Sequence, residues 1–548
     1  MSTLKRWRAV GVMGLTLAAG ATTAAAVPPS AASPVRPTVV RDVEAGRDLV
    51  PEVSRSAAEQ AVFPLTRMHD TTAEPSIAVD PKDPRHAVTV YHSGRNIPEA
   101  AFGAGFATTF DAGRTWLQGN LPITTSTGGP FELVTDVMVI FLPDSAVIAS
   151  VQLTPITGDP VPPGGIVTTL SRDGGTTWAQ PVRVARTGSY APAVFDDKQW
   201  MTVDPADGPG HHRGRLYVGW DIAHLGGGIG QLSYSDDDGA TWAPPVSLPL
   251  GTDATTFWPV VLKDGDLALV YSIMTDTPAV EYVVALVSGA GSVKSGLPLV
   301  VGPPVPIAPM MGTPIRQQGR VYIQSQSVAY DPGNGRMYVA WTDARFRLDG
   351  VDDAVITWSD DKGATWAPVK RINPGSDADF LDRWTPMLAV APGGRVDVAY
   401  RQRQEAADIA LASNFVDTIY QYSEDGGASF SEPLTVDQYP SDIRFSAISG
   451  TASSVSCSGQ PCSFLGDYFG IASAGDLVYV SRSEGHRAST AERATFPPTV
   501  YHQRDWVAVI RLPEGTRTFR GPTGSSSGGQ PEKAAAGSGP TALPNTSR

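Results

Sequence analysis

Arginine, carboxyl and aromatic side chains stand at the borders of several short apolar runs in this 548-residue chain, where they could contact a ligand. Guanidinium groups bind carboxylates through paired hydrogen bonds, and a carboxyl group whose pKa is raised can act as a general acid or base. The arginines are notable because the chain is acidic, with a formal net charge of −13. The arginines that we consider as ligands of a carboxylate are Arg95, Arg345, Arg383, Arg401 and Arg482.

The other residue types that could do chemistry show no metal-binding spacing. The eight histidines are scattered, and the run 236–239 places its carboxylates consecutively, whereas calcium loops alternate them. No histidine or further cysteine completes a metal set around Cys457 and Cys462, so these two cysteines are predicted to form a small disulfide loop. We therefore predict neither a metal nor a cofactor.

A repeated eight-residue pattern indicates the elements that must position these side chains. The pattern is Ser/Thr-x-Asp-x-Gly-x-Thr/Ser-Trp/Phe, and its copies begin at residues 109, 171, 235, 359 and 423. The Asp can accept hydrogen bonds from backbone N–H groups of a tight turn, the Gly supplies a positive φ, and the ring packs between sheets. We predict that the pattern aspartates hold turns and do no chemistry; they are Asp111, Asp173, Asp237, Asp361 and Asp425.

The spacing of these copies predicts a longer repeat. The starts differ by 62, 64, 124 and 64 residues, which places a degenerate copy near residue 297, and the glycines of 288–292 fit it. Upstream of the copies, a short apolar run followed by a Tyr/Trp-rich strand recurs, as in 200–205 with 215–221 and 327–335 with 336–343. Short β-rich strands without a helical period predict an all-β protein.

The eight-residue pattern resembles the Asp box, or BNR repeat, of sialidases and related β-propellers. The resemblance implies a single propeller of four-stranded blades, with each box between the third and fourth strands and away from the ligand face. Seven copies of the first strand favour seven blades, and six blades, as in sialidases proper, is the alternative. The last blade has no box, and its fourth strand is expected from residues 60–65, which would close the ring.

The family geometry places the residues before each first strand and after each second strand at one mouth. Sialidases hold the substrate carboxylate with three arginines, use a tyrosine paired with a glutamate as nucleophile, and use an aspartate as acid/base. The resemblance implies Tyr468 as the nucleophile and Asp136 or Asp197 as the acid, with Glu74 as a further catalytic candidate. Arg345, Arg401 and Arg482 would grip the carboxylate. The other side chains expected at this mouth are Arg95 and Arg383, with Trp258 and Trp384 available to stack on sugar rings.

The predicted function is a secreted, sialidase-like glycoside hydrolase that acts on terminal sugars, acidic ones included, of extracellular glycans. The Arg-Ile-Pro motif of sialidases has no close match in this chain. The nearest sequence, residues 95–98, has an extra residue and follows a second strand. A non-catalytic propeller that binds a glycan or a protein is therefore an alternative. A polysaccharide lyase is the third, with His92 or His224 as the base.

The ends of the chain differ in composition from its middle. Basic residues, an apolar run and small residues make residues 1–26 resemble a signal peptide, so we expect export. Residues 27–58 are expected to be a flexible leader, 59–520 the propeller and 521–548 a disordered tail. The acidic charge argues against a nucleic-acid partner, and we expect no membrane anchor, an extracellular glycan as partner and a monomer.

Overall fold

The structure is a computed structural model that describes residues 36–50, 70–95, 100–154, 164–185, 195–224, 227–248, 254–274, 280–312, 326–404, 413–449, 462–486, 502–513 and 516. All elements below belong to one compact unit, Pro37–Arg548, and of the separate unit Met1–Arg36 only Arg36 is described. The predicted signal peptide, the predicted tail and Cys457 lie outside the described residues.

Seven antiparallel blades of four strands build a β-propeller, which confirms the all-β fold and the seven blades predicted from the repeat. The chain begins with β1 (Thr38–Gly46), which belongs to the last blade. The first three blades contain β2 (Thr72–Val79), β3 (Ala87–Ser93), β4 (Gly103–Thr109) and β5 (Leu117–Asn120); β6 (Leu133–Phe141), β7 (Val147–Thr154), β8 (Gly165–Ser171) and β9 (Val182–Arg183); and β10 (Phe195–Val203), β11 (Leu216–His224), β12 (Gly227–Ser235) and β13 (Val246–Ser247).

The remaining blades repeat this order. Blades four to six contain β14 (Ala254–Val261), β15 (Leu267–Met274), β16 (Val280–Val287) and β17 (Val305–Pro309); β18 (Ser327–Asp331), β19 (Arg336–Asp343), β20 (Asp353–Ser359) and β21 (Lys370–Arg371); and β22 (Leu381–Val390), β23 (Val396–Gln404), β24 (Phe415–Ser423) and β25 (Leu434–Thr435), with β26 (Ser441–Asp442) beside β24. The seventh blade holds β29 (Gly470–Ala474), β30 (Leu477–Gly485) and β31 (Gln503–Arg511), preceded by the hairpin of β27 (Ala447–Ser449) and β28 (Cys462–Phe464).

Helical structure is limited to single turns among the described residues. The 3-10 turns are Thr125–Thr127, Ala290–Ser292 and Ile443–Phe445. No helix in the described part of the chain has the length and apolar character needed to cross a membrane.

Second strands of three blades are buried along their whole length. Every residue of β3, β19 and β30 is buried, although these strands carry polar side chains such as His92 and Arg482. Packed sheets bury both faces of a strand, so buried polar groups here must find partners within the propeller. These strands therefore bring charged side chains into the interior.

The turns that carry the eight-residue pattern, which we name the box turns, share one hydrogen-bond network. In the turn 359–366, Asp361 accepts hydrogen bonds from the Thr365 N–H (2.8 Å) and the Thr365 hydroxyl (2.6 Å). Ser359 donates to Asp361 (2.8 Å) and accepts from the Gly363 N–H (2.8 Å), and Gly363 has a φ of +91°. The same bonds recur around the other pattern aspartates, Asp111, Asp173, Asp237 and Asp425.

The strand that closes the ring lies earlier in the chain than expected. β1 pairs antiparallel with β31 from Thr38 to Gly46, and it lies within the stretch predicted to be a flexible leader. Residues 60–65, predicted to supply this strand, fall outside the described residues. β1 mixes apolar and charged residues without a regular alternation, and it gains its order from backbone pairing with β31, which composition does not reveal.

Candidate functional site

Bulges on the inner strands aim a set of side chains into the central channel. Five inner strands have a register shift near their start, and each shift holds a non-glycine residue at positive φ. Such backbone costs on the order of 1–3 kcal/mol per residue and is concentrated at functional sites. The residues at these equivalent positions are Glu74, Asp136, Lys198, Thr256 and Thr385. Three consecutive blades thus direct two carboxyl groups and an ammonium group to one place.

Lys198 is the cation of this cluster. Its Nζ donates to Asp136 Oδ1 (3.2 Å) and to Asp467 Oδ2 (3.1 Å), and all three residues are buried. A buried ammonium without partners would be strongly disfavoured, so these contacts are required to keep it charged. Sequence reasoning gave Lys198 and Asp467 no catalytic role, although each directly adjoins a predicted residue, Asp197 or Tyr468.

His92 and Arg95 border the other side of Glu74. Glu74 Oε1 accepts a hydrogen bond from the Asp467 N–H (3.0 Å), and Glu74 Oε2 lies 3.3 Å from His92 Nε2. Arg95 Nη1 lies 2.9 Å from His92 Nδ1. Because a guanidinium only donates, His92 Nδ1 is the acceptor and the proton of the neutral ring is on Nε2. Burial and Arg95 hold the pKa of His92 well below its ordinary value, so the ring is neutral.

The trio of Glu74, His92 and Asp136 has the spacing of a metal site, since its ligand atoms lie within 4.8 Å of one another. The tautomer of His92 disfavours a metal ion there. A metal would need the lone pair of Nε2 while Nδ1 accepts from Arg95, which would leave the ring without a proton. Lys198 also already neutralises Asp136. We therefore interpret the trio as a proton-transfer site.

The carboxyl groups of the cluster have pKa values that the surroundings drive apart. Burial raises the pKa of Glu74 to about 7, with Asp136 and Asp467 adding to the effect and Lys198 opposing it. Burial also acts to raise the pKa of Asp136, but Lys198 and a hydrogen bond from Asp197 overcome it and lower that pKa to about 2. Near neutral pH, Asp136 is thus ionised while Glu74 is poised to exchange a proton.

Asp197 links the pair to solvent. Burial and the neighbouring carboxylate of Asp136 raise its pKa well above the ordinary value, so it donates to Asp136 as the protonated partner. Its side chain remains partly exposed, whereas Glu74 and Asp136 are each 2% exposed. Asp221 lies beside Asp197. Burial raises the pKa of Asp221 to about 7, and the Thr255 hydroxyl donates a hydrogen bond to it (3.0 Å). Among these carboxyl groups, Asp197 is the one that keeps part of its surface exposed.

Tyr468 lies beneath the charged cluster and faces the protein backbone. Its hydroxyl accepts from the Val137 N–H (2.9 Å) and donates to the Val137 carbonyl (3.3 Å). Burial raises its pKa well above the ordinary value. A nucleophilic tyrosine needs a base that lowers this pKa. In this geometry the Tyr468 ring supports the backbone that carries Asp136.

Below Tyr468 the channel becomes an apolar cavity of about 420 Å³, lined by Met138, Trp200, Trp258 and Met387 among others. Trp258 stacks on Trp200 with ring centroids 3.8 Å apart and keeps part of its surface exposed. Trp384, by contrast, is 6% exposed and packs in a small apolar cluster with Val416 and its neighbours. Of the two tryptophans predicted to stack on sugars, Trp258 has an accessible ring and Trp384 does not.

Each of the five predicted arginines contacts groups of the protein. Arg345 pairs bidentately with Asp343 (2.8 and 2.9 Å), and Arg383 contacts Asp379 (2.9 Å). Arg95 is the one that lies at the Glu74 cluster, where its guanidinium also covers the Phe464 ring. The structure therefore shows protein partners for these arginines, and their convergence on one ligand carboxylate stays a prediction.

Arg401 and Arg482 share a second buried cluster between blades six and seven. Arg482 Nε contacts Asp437 Oδ1 (2.5 Å) and Glu484 Oε1 (2.8 Å), and Arg482 Nη2 contacts Asp42 Oδ1 (2.7 Å). Arg401 donates to the Ser483 carbonyl (3.0 Å). Burial raises the pKa of Glu484 to about 8. This cluster fastens β1 to the last two blades.

Two further predictions concern side chains beyond the described ones. The disulfide of Cys457 and Cys462 lies outside the described residues, since Cys457 and the side chain of Cys462 are not described. The side chain of His224, named for the lyase alternative, is likewise not described. His92 is described, and its contacts are those given above.

Comparison with known proteins finds no family and only distant structural likenesses. No family model matches the chain, and no curated protein matches it. Similar solved structures include the α-L-arabinanase of Penicillium chrysogenum with arabinobiose (12% identity; 87% of this chain and 99% of that chain; TM-score 0.40), an ulvan lyase (12%; 81% and 93%; 0.41) and the Trypanosoma rangeli sialidase (14%; 62% and 53%; 0.38). Such distant likenesses carry no activity to this chain, and the propeller assignment depends on the strand pairing.

The buried carboxyl groups predict that stability falls as the pH rises. The pKa values of Glu74 and Asp221 are raised to about 7, and those of Glu484 and Asp505 to about 8, in each case chiefly by burial. A group whose pKa is higher in the folded than in the unfolded protein stabilises the folded state. This contribution to the free energy of unfolding is fully present below about pH 4 and is lost as the pH rises through 7 to 8. We expect a lower Tm at pH 8.5 than at pH 5.5 in buffers of equal ionic strength.

The matched variant for this measurement is Asp505→Asn, which keeps an acceptor for the Ser481 hydroxyl (2.8 Å) but cannot ionise. We expect the difference in Tm between the two pH values to shrink in this variant. Equal Tm values at both pH values in the unmodified protein would contradict the assignment of these buried groups as protonated.

Proposed function

We propose that this propeller is a glycan-acting glycoside hydrolase whose reacting carboxyl groups are Glu74 and Asp136. The observation that carries the proposal is the pairing of these two groups at equivalent bulges of adjacent blades, with pKa values of about 7 and about 2. Glycoside hydrolysis needs one protonated and one ionised carboxyl group beside the same bond. The Asp-box resemblance and the predicted export signal agree with an extracellular glycan as substrate.

In this mechanism Glu74 gives its proton to the leaving oxygen while Asp136 attacks the anomeric carbon. Carboxyl oxygens of the two residues lie no more than 4.8 Å apart, which is shorter than the roughly 6.5–9.5 Å that inverting enzymes need for a water molecule. Water then cleaves the glycosyl ester, and Glu74 takes the proton of that water. Lys198 and Asp197 keep Asp136 ionised until it attacks, so both are positioning residues.

The proposed substrate is a neutral terminal sugar. Sialic acid would need guanidinium groups that are available for its carboxylate, and each of the five predicted arginines already contacts protein groups. Trp258, stacked on Trp200 and partly exposed, offers a ring face of the kind that sugars bind. We therefore place neutral glycosides ahead of sialosides.

The test is turnover of a panel of aryl glycosides, with a sialoside included, by the secreted protein. We expect hydrolysis of a neutral glycoside, net retention of anomeric configuration by proton NMR, and a rate that falls above about pH 7 as Glu74 loses its proton. No turnover of any member by protein with an intact thermal transition would favour the non-catalytic binding propeller instead. Faster turnover of the sialoside than of the neutral glycosides would restore the sialidase assignment.

A further inference from the structure

We propose that the seam between the last and first blades holds a second site, which binds the anionic groups of a glycan. A cavity of about 310 Å³ opens on the face of the propeller that carries the box turns. β1 and β31 line one side of it, and turns of the first blade line the other. The lining residues that matter are Arg41, Arg85, Phe110, Asp111, Arg114 and Arg511.

The lining is basic although the protein is acidic. Four guanidinium groups face this cavity against one lining carboxylate, Asp111, whereas the whole chain carries a net charge of −13. A local inversion of charge in a concave surface concentrates ligands of the opposite sign. The cavity therefore selects anions on a protein that otherwise repels them.

The guanidinium groups keep donors available for a ligand. Arg114 is exposed, and its side chain makes no hydrogen bond or ion pair with any residue that the structure describes. Arg41 uses Nη1 on the Ala112 carbonyl (3.0 Å), and Arg511 contacts Asp476 at 3.4 Å with both side chains more than half exposed. Arg85 pairs with Asp83 at the surface. Exposed pairs of this kind contribute little, so a sulfate or carboxylate can compete for these donors.

An aromatic ring beside the arginines favours a sugar as the carrier of the anionic group. Phe110 is 51% exposed, and its inner face stacks on the His86 ring with centroids 4.4 Å apart. His86 is in turn fixed between Asp80 (3.2 Å) and the Gly174 carbonyl (2.9 Å). A rigid ring with one open face beside cationic groups suits a sugar that bears a sulfate or carboxylate.

The size and charge of the surroundings disfavour a nucleic acid. A cavity of about 310 Å³ is at the small end of ligand sites and fits one or two sugar units. A long phosphate backbone would extend beyond it over a surface of net negative charge, where it would be repelled. A glycan with spaced anionic groups can place one of them in the cavity and leave its neutral parts outside.

Binding at this seam would also connect the closing strand to the first blade. Arg41 lies on β1 and Arg511 on β31, while Arg85 and Arg114 lie on turns of the first blade. A ligand that contacts both sides binds only the closed ring. It should therefore raise the Tm as its concentration rises above the dissociation constant.

The test is calorimetric titration of the full-length protein with dextran sulfate, carboxymethyl dextran and neutral dextran. We expect both charged polymers to bind, neutral dextran not to bind, and 0.5 M NaCl to abolish binding, a concentration at which charges are screened beyond roughly 4 Å. The sulfated and carboxylated arms identify which anionic group is preferred. A thymidine oligonucleotide serves as the nucleic-acid arm, and tighter binding of it than of either charged dextran would overturn the proposal.

Arg114→Gln is the central variant, and Arg172→Gln is its matched control. Both residues are exposed arginines in box turns, but Arg172 lies outside the cavity and pairs with Asp238 (2.9 Å). We expect Arg114→Gln to weaken dextran sulfate binding about five- to tenfold, as for loss of one charge-assisted contact, and Arg172→Gln to leave it unchanged. Equal affinities for the two variants would overturn the site.

Phe110→Ala separates glycan binding from binding of a bare ion. We expect it to weaken binding of dextran sulfate and to leave binding of inorganic sulfate as it is, because only the sugar ring contacts the aromatic face. An equal loss for both ligands would overturn the sugar assignment. Hydrolysis of small glycosides should not change in any of these variants, so failure here is distinct from failure of the proposed hydrolase.

Discussion

Replacing Asp136 with asparagine is expected to reduce kcat on every glycoside that the protein hydrolyses. The amide cannot form the glycosyl ester, so the loss should lie at the upper end of the roughly 10²- to 10⁴-fold range of a missing catalytic carboxyl. KM should change little, because the side-chain volume is conserved. The measurement is steady-state hydrolysis of the best aryl glycoside, with Tm recorded for the same preparation.

Glu74→Gln distinguishes the two proposed roles in the same assay. A substrate with a good leaving group, such as a dinitrophenyl glycoside, needs no proton in the first step and should keep most of its kcat/KM, whereas a natural disaccharide should lose most of its kcat/KM; kcat should fall for both, because Glu74 is also the base of the second step. Asp136→Asn should lose activity on both substrates. Glutamine still accepts from the Asp467 N–H, so the fold of the site is preserved.

Thr385→Val is the control for both substitutions, since Thr385 occupies the equivalent bulge of the sixth blade without a carboxyl group. Its activity should stay within a few-fold of the unmodified protein. Activity of Asp136→Asn within tenfold of the unmodified protein would remove Asp136 from the mechanism and the proposed hydrolase with it.

The number of blades was predictable because the box turns impose a local chemical requirement at each repeat. Few residue types can supply a carboxylate that accepts hydrogen bonds from two groups of Thr365, or a backbone at positive φ. The spacing of these Asp and Gly residues is therefore visible in the sequence. The fourth blade shows the limit of this signal. There the Gly289 N–H donates to Asp266 (2.7 Å), a residue of the neighbouring turn, and the pattern disappears although the turn remains.

The closing strand escaped sequence reasoning for a different reason. β1 contributes one edge of a sheet, and the adjacent charged residues Arg41 and Asp42 interrupt its apolar ones, so no strand pattern stands out. Its place is set by pairing with β31, more than 450 residues away, which no local pattern encodes. The Pro- and Ala-rich sequence before β1 resembles a linker, so the strand was not recognised.

The positions of Glu74, Asp136 and Asp197 at the start of inner strands followed from the blade repeat, but their contacts did not. Whether such side chains point into the channel depends on one-residue shifts of register, and those shifts are visible only as bulges in the structure. The approach of Lys198 to Asp136 and Asp467 joins three blades and has no counterpart in sequence spacing.

The protein partners of the predicted arginines could in part have been found from the sequence. Residues two apart on a strand lie on one face, so an acidic residue two positions from an arginine can neutralise it. Arg482 and Glu484 show this spacing on β30 and contact each other, and Arg345 pairs with Asp343 in the turn that follows β19. An arginine in such a pair already binds a carboxyl group of the protein and is less available to a ligand. A search that kept only arginines without an acidic residue two positions away would have excluded Arg345 and Arg482.

Arg482→Met is expected to cause the largest loss of stability of any single arginine replacement described here. Arg482 is 1% exposed and neutralises Asp42 of β1 and Asp437 at the end of blade six; it also contacts Glu484 of blade seven, whose pKa of about 8 leaves it largely protonated at pH 7.5. Methionine conserves much of the volume but leaves these carboxylates buried without their cation. Breaking a buried pair in this way costs about 3–5 kcal/mol.

For a chain of this size that cost corresponds to a fall in Tm of about 3 to 5 °C, measured by calorimetry at pH 7.5. Arg172→Met is the control, because its pair with Asp238 is exposed and should be worth at most about 1 kcal/mol. Adding Asp437→Asn to Arg482→Met should restore part of the loss, since one uncompensated charge is removed.

Hydrogen exchange should accelerate first in Thr38–Gly46, because the bond to Asp42 is what ties this strand to the rest of the cluster. Exchange in β1 that stays as slow as in the inner strands, together with an unchanged Tm, would mean that backbone pairing with β31 alone closes the ring.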